Sequence, residues 1–211
     1  HSLAFSFFPH WVMDLRQHFG NLKSRLIALN VHDAVMQLTE GSCDLLIAYH
    51  HPSQPYQFDT DRYEMVSLGE EIVAPFSRAD ANGQPQFQLP GRQDAPLPYL
   101  GYAPGAYLGQ VVDMMLKDAG AAMHLERVYE TDMAEGLKAM ALEGHGLAFL
   151  PASSVRKEVS ARRLVPAGEA LRRSPAARDG AALHHRHGGK LPLRQNLRRT
   201  SPQRRTLFTL A

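Results

Sequence analysis

Thr131-Asp132-Met133-Ala134-Glu135-Gly136-Leu137-Lys138-Ala139-Met140-Ala141-Leu142-Glu143-Gly144-His145-Gly146-Leu147-Ala148-Phe149-Leu150-Pro151 is the stretch whose reading decides the fold. Asp132 followed three residues later by Glu135 has the form of a capping box, with Thr131 as a competing N-cap. Met133, Leu137, Met140 and Ala141 recur at i, i+4, i+7 and i+8, which is one face of a helix. Gly144 and Gly146 stop that helix. Residues 147–150 are short and wholly apolar, as a buried strand is, and Pro151 closes them. Helix, glycine turn and buried strand in this order make half of a βαβ unit.

The same grammar extends in both directions. Residues 5–19 read as a helix with Pro9 near its start and Val12, Leu15 and Phe19 on one side. Residues 22–29 read as a strand, 31–40 as a helix buried through Ala34, Val35 and Leu38, and 45–49 as a central strand. The segment 50–61, with Pro52 and Pro55, reads as a loop. Strands are predicted over 63–68, 70–76, 99–102 and 124–129, and a loop over 80–98 with a short ordered piece at 87–89. Pro104-Gly105 opens a helix running to residue 119, with Leu108, Val111, Val112 and Met115 at i, i+3, i+4 and i+7. A short helix over 153–159 and a short strand over 163–165 follow. Alternating strands and helices predict parallel sheets in two α/β lobes.

Composition narrows the function classes. No run approaches the roughly 18 apolar residues of a membrane helix, and the apolar start at 1–8 lacks the basic leader of a signal peptide. Cys43 stands alone, so no intrachain disulfide forms, which fits a reducing compartment, and it reads as a small buried filler. The net charge of +2 hides an asymmetry. Nine arginines and Lys190 against Glu169 and Asp179 give residues 169–211 a charge of +8, leaving −6 for residues 1–168. An acidic body does not by itself bind nucleic acid, which needs clustered cations. Residues 169–211 hold no sustained helical or strand period, and their Arg, Pro and Gly content matches a shifted reading frame of a GC-rich gene, so they are expected to form an irregular basic tail.

The 131–151 stretch closely resembles the helix–Gly-x-Gly–strand–Leu-Pro segment in the effector-binding domain of LysR-type transcriptional regulators. Asn30-Val31-His32-Asp33-Ala34-Val35-Met36-Gln37-Leu38-Thr39-Glu40-Gly41-Ser42-Cys43-Asp44-Leu45-Leu46-Ile47-Ala48-Tyr49 resembles the first βα repeat of that family. Glu71-Ile72-Val73-Ala74-Pro75 resembles the strand that carries the chain into the second subdomain. The resemblance runs from His1 to about residue 168. It implies an α/β fold of two lobes, a periplasmic-binding-protein-like (type 2) effector domain, with the N-terminal DNA-binding domain absent. The lobes are expected at 1–75, incomplete at both ends, and 76–168, with the tail at 169–211. The resemblance further implies a cytoplasmic homodimer or homotetramer that senses a small-molecule effector or an oxidant. It would touch DNA only through the missing helix-turn-helix, with no membrane contact and no cofactor. His1-Ser2-Leu3 leading to Phe8-Pro9, and the Met133 position, look most like the hypochlorite-responsive members.

In α/β lobes ligands collect beyond the C-terminal ends of strands, where helix N-termini present unpaired N–H groups. Three such points stand out: His1-Ser2; the 101–107 segment with Tyr102, Ala103 and Tyr107; and Thr131-Asp132-Met133. By the resemblance, all three and the Tyr49-His50 segment line an interlobe cleft; the plainer reading of Ser2, Thr131 and Asp132 is that they cap helices. Met115 and Met140 read as core filler, whereas Met133 in a first helical turn is a redox-sensing candidate through its sulfoxide. His184-His185-Arg186-His187 has the look of a metal tract but sits in the irregular tail without a cysteine nearby, and no metal is expected there. No nucleophile elbow, phosphate loop or paired carboxylate appears, so the chain does not read as an enzyme. An enzyme on the same fold would have only His50 with Asp132 as an acid–base pair. The other binding alternative is an extracytoplasmic solute receptor for a small anion or amino acid.

Overall fold

The computed structural model describes residues 2–51, 62–168, 178–186 and 206–210. The chain divides into two compact units, one of residues 1–69 with 180–211, the other of residues 70–179.

In the first unit, α1 (Ser2–Ser6) and α2 (Phe8–Phe19) divide the predicted N-terminal helix at Phe7. Pro9 lies in the first turn of α2, where its missing N–H removes no helical bond. β1 (Ser24–Ala28) follows, then α3 (Val31–Glu40), within the bounds its periodicity predicts. Asn30 caps α3 by accepting the Asp33 N–H through Oδ1 at 2.9 Å, and Gly41 ends it in the left-handed region at φ 80°. Ala34 and Leu38 of α3 pack with Cys43, Leu46, Ala48 and Tyr63, and Val35 is only partly buried against them. β2 (Leu45–His50) is buried along its first five residues, as a strand covered on both faces must be.

The tail departs from expectation. Arg178–Arg186 forms β8, antiparallel to β2, and Thr206–Leu210 forms β9, parallel to both β1 and β2. The expected irregular tail over 169–211 is therefore corrected at these two stretches; its remaining residues lie outside the described ones. The physical reason is that a strand inside a sheet is held by main-chain hydrogen bonds. A run of five residues such as Thr-Leu-Phe-Thr-Leu can pair without the longer period by which an amphipathic element is recognised. The lobe boundary moves too: the division falls at residues 69 and 70, not 75 and 76, and the chain returns to the first unit after residue 179.

The two strands predicted at 63–68 and 70–76 are one, β3 (Tyr63–Arg78), which starts in the first unit and ends in the second. The second unit continues with β4 (Leu97–Tyr102), α4 (Tyr107–Lys117), β5 (Leu125–Thr131), α5 (Ala134–Leu142) and β6 (Leu147–Pro151). A 3-10 turn at Ala152–Val155, α6 (Arg156–Ser160) and β7 (Leu164–Pro166) complete it. β4 pairs in parallel with β5 on one side and β6 on the other, while β3 runs antiparallel to β6 and β7.

Leu108, Val111, Val112 and Met115 of α4 are all buried, as their spacing requires. The helix nevertheless starts at Tyr107, not Pro104, because Gly105 at φ 85° is left-handed and cannot be part of a helix. α5 buries Ala134, Leu137 and Ala141. It ends in a Schellman arrangement: the His145 N–H donates to Met140 O at 3.1 Å, and that of Gly144, at φ 83°, to Ala141 O at 3.0 Å. β6 is fully buried.

Candidate effector site

The C-terminal ends of β4 and β5 lie side by side in the second unit. Tyr102 is paired with Thr131, and the Ala103 N–H donates to Thr131 O at 2.9 Å one residue beyond. Each strand then turns into a helix, so the N-termini of α4 and α5 both follow directly from this pair. This brings together six of the sequence-predicted site residues, Tyr102, Ala103, Tyr107, Thr131, Asp132 and Met133, on two adjacent strand-to-helix junctions.

Neither helix has a side-chain cap. Ala106 occupies the N-cap of α4 and Met133 that of α5, and neither side chain accepts a hydrogen bond there. This corrects the expected Asp132–Glu135 capping box. Thr131 is held in β5 by its pairing with Tyr102, so the helix cannot begin until two residues later than a Thr131 cap requires. Thr131 Oγ1 instead accepts a long hydrogen bond, 3.4 Å, from the Met133 N–H. Its methyl faces the α5 backbone: a β-carbon built on Gly136 would lie 3.3 Å from Thr131 Cγ2. Met133 is displaced from the buried helical face, which Ala134 occupies instead, and its side chain is 43 % exposed. Asp132 is also exposed.

Tyr102 is the buried polar group of this junction. Its ring is 3 % exposed, and among the described residues its hydroxyl has no hydrogen-bond partner. Burial pushes the Tyr102 phenol well above its ordinary pKa, with smaller contributions from Tyr99 and from Glu135 in the first turn of α5. The hydroxyl is thus a proton-bearing donor at every physiological pH. Tyr99, three residues earlier in β4, is pushed up to about 12 by burial, against the opposing pull of Arg127. Arg127 lies over the Tyr99 ring at 5.7 Å and pairs with Glu130 at 2.9 Å. Gly101 makes room for it, since a β-carbon there would come within 2.8 Å of Arg127 Nε.

Sequence reasoning missed the polar ties that hold this unit behind the junction. The Glu71 carboxylate, near the start of β3 in this unit, accepts from the Ser153 N–H at 3.2 Å and also from the Ser153 hydroxyl. Lys138 of α5 donates to Ser154 O at 3.1 Å and pairs with Glu135. The Glu135–Lys138 pair is a local i,i+3 contact on α5, but no spacing signal announces Glu71 with Ser153 or Lys138 with Ser154, because the tertiary fold and not the local chain brings them near.

The remaining predicted residues belong to the first unit. Ser2 is buried at the start of α1, and its carbonyl accepts from Ser6 Oγ at 3.0 Å. Tyr49 is buried in β2 and His50 is that strand's last residue. His1 lies outside the described residues. His51, absent from the predicted set, is buried; burial, and then its neighbour His50, hold its pKa below the ordinary 6.5. In the unfolded chain this imidazole takes up a proton near 6.5, before the folded one does. Stability contributed at His51 is therefore full above that pH and is lost as pH falls towards the lower folded value. Replacing His51 with Gln should flatten the acid side of the thermal stability profile between pH 7 and 5, a window set by the ordinary histidine value of about 6.5. An unchanged profile in differential scanning fluorimetry would refute this.

Among the described residues no group of three or more His, Cys, Asp or Glu could hold a metal ion, and no helix is long and apolar enough to cross a membrane.

Known proteins define the class. A model of the LysR substrate binding domain matches residues 1–200, so the chain belongs to that family, the effector-binding domain of LysR-type transcriptional regulators. The match sets the solute-receptor alternative aside. The chain is 26 % identical over 169 residues to the HTH-type transcriptional regulator YjiE of Escherichia coli K12, covering 78 % of this chain and 51 % of that protein. It is equally similar to the HTH domain-truncated transcriptional regulator QseD of Escherichia coli O157:H7, of which it covers 64 %. The chain thus spans between half and two thirds of the length of these curated relatives.

Among solved structures, the apo regulatory domain of HypT from Salmonella typhimurium superposes with a TM-score of 0.74 at 23 % identity, covering 93 % of this chain and 86 % of that one. Full-length HypT, described as a hypochlorite-specific LysR-type transcriptional regulator, gives 0.73 at 23 % identity, over 92 % of this chain and 61 % of that one. The fold is the periplasmic-binding-protein type 2 fold of LysR regulatory domains.

Proposed function

We propose that this chain is the signal-sensing domain of a LysR-type regulator and that the β4–α4 and β5–α5 junctions bind a small anion or oxidant. The observation that carries this reading is the buried Tyr102 hydroxyl, which has no hydrogen-bond partner among the described residues, at a junction where two helices begin with N-cap side chains, Ala106 and Met133, that make no cap hydrogen bond. A buried phenol donor and the positive ends of two helices suit a small anion. The regulatory domain of HypT has been solved with bromide bound, and full-length HypT is described as hypochlorite-specific, which supports hypochlorite as the first signal to test here. Ser2, Tyr49 and His50 enter the proposed effector set through the family resemblance alone.

In this reading the signal shifts the population between two arrangements of a cytoplasmic homodimer or homotetramer and so changes DNA binding by a helix-turn-helix domain. The Tyr102→Phe variant provides the test. Removing a buried hydroxyl that lacks a partner should leave the ligand-free domain as stable or more stable, by about 1 kcal/mol. The same change should weaken bromide binding by roughly tenfold, as loss of one hydrogen bond to an anion would. Calorimetry showing unchanged bromide affinity would remove Tyr102 from the site.

Met133 offers the redox route. Hypochlorite transfers its oxygen to the exposed thioether sulfur, giving the sulfoxide and releasing chloride, and the sulfoxide oxygen becomes an acceptor beside the α5 N-terminus. Met133→Leu should keep the fold, at a cost below about 1.5 kcal/mol, and abolish the response to hypochlorite. The readout is operator binding by the full-length regulator after hypochlorite treatment, with mass spectrometry of the 131–138 peptide. A wild-type response in Met133→Leu would confine sensing to reversible binding at the junction.

A further inference from the structure

The α5 end of the junction carries a counter-charge of its own. Glu135 lies in the first turn of α5, where a carboxylate satisfies the positive helix end and repels a second anion there. Its influence reaches the buried phenol: after burial and Tyr99, Glu135 is the third cause that holds Tyr102 protonated. The turn is also fixed in place, because a β-carbon built on Gly136 would lie 3.3 Å from Thr131 Cγ2 at the end of β5. Left unbalanced, Glu135 would set a negative charge beside the buried Tyr102 hydroxyl.

Lys138 supplies the balance. One helical turn beyond Glu135, its ammonium pairs with Glu135 Oε2 and lies 4.0 Å from Glu158 Oε1 of α6. It also donates to Ser154 O at 3.1 Å. Ser154 and Glu158 both follow β6 in the chain, so the ammonium is anchored outside α5 and limits where the Glu135 carboxylate can lie. The Lys138 and Glu135 side chains are 17 % and 29 % exposed, so solvent ions screen this pair less than a surface pair.

We infer that Lys138 is a positioning residue of the junction: by holding the Glu135 carboxylate it leaves the positive end of α5 to an incoming small anion, and so sets the charge preference of the site. The inference rests on the anion reading of the β4–α4 and β5–α5 junctions. Lys138 acts through Glu135 and needs no contact with the ligand.

Bromide titration by calorimetry tests this in the wild-type chain, Glu135→Gln, Lys138→Gln, the double variant and Tyr102→Phe. Glu135→Gln should tighten binding by roughly two- to fivefold, the scale of one charge at a helix end. Lys138→Gln should weaken binding by a similar factor, and adding Glu135→Gln to it should return the affinity to the wild-type value. A residue that only braced the fold would behave otherwise, since removing Glu135 cannot repair the lost bond to Ser154.

A loss in Lys138→Gln that persists in the double variant would overturn the inference, as would a Glu135→Gln that binds no more tightly than wild type. If Lys138→Gln fails to fold by circular dichroism, Glu135→Gln decides alone: tighter binding supports the inference and unchanged or weaker binding refutes it. Affinity that falls in Tyr102→Phe but ignores both charge variants would leave the anion reading standing and remove Lys138 from it. A wild-type chain that binds no bromide would remove both.

Discussion

Phe149→Ala should destabilise the second unit by about 3–5 kcal/mol, the range for truncating a large aromatic in a core that cannot collapse around the loss. Phe149 is 1 % exposed in β6, and its ring meets Tyr99 of β4 edge-on at 6.0 Å. The substitution thus removes three things together: the transfer energy of the ring, its packing on both sides of β6, and the aromatic pair, itself worth about 0.5–1.5 kcal/mol. A domain whose total stability lies in the usual range of about 5–15 kcal/mol would lose a large share of it. Urea denaturation followed by circular dichroism should show the midpoint falling at constant slope. A loss below about 1.5 kcal/mol, the size seen for volume-conserving core changes, would mean that β6 is not a central buried strand.

Phe149 was legible as core because residues 147–150 are apolar without interruption, and a strand covered on both faces needs no alternation. The same holds for α3 and α4, where Ala34, Leu38, Leu108, Val111, Val112 and Met115 follow the helical period and are buried. Periodicity reports burial, and it failed where something else set the local structure. The N-terminus of α5 was misplaced because Thr131 answers to its partner strand, which spacing does not encode. β9 was missed because five residues in a central strand need only neighbours with free main-chain groups. The site shows the same division. Tyr102, Thr131 and Met133 could be named from their position at strand-to-helix junctions. That the Tyr102 hydroxyl lacks a partner among the described residues, or that Ser153 meets Glu71, depends on residues that only the tertiary fold brings near.

Gly146→Ala should cost about 3 kcal/mol, at the upper end for overpacking, and more than Gly144→Ala. The two glycines look alike in the sequence, flanking His145 at the end of α5, but they answer different demands. Gly144 has φ 83°, so alanine there incurs the left-handed penalty of about 1–2 kcal/mol. Its new methyl would meet Gln86 Oε1 at 3.0 Å, the end of a flexible side chain that can move aside. Gly146 has no such backbone requirement, but a β-carbon there would lie 2.6 Å from Pro98 O and 3.0 Å from Leu100 Cγ. Pro98 belongs to β4, which is paired with β5 throughout and with β6 at Tyr99 and Leu100, so its carbonyl cannot retreat without disturbing the sheet. The strain would travel along β4 to Tyr102, so Gly146→Ala should weaken bromide binding as well as lower the melting temperature, whereas Gly144→Ala should lower the melting temperature alone. Equal melting temperatures for the two variants would show that close approach of the β4 backbone is not what position 146 requires.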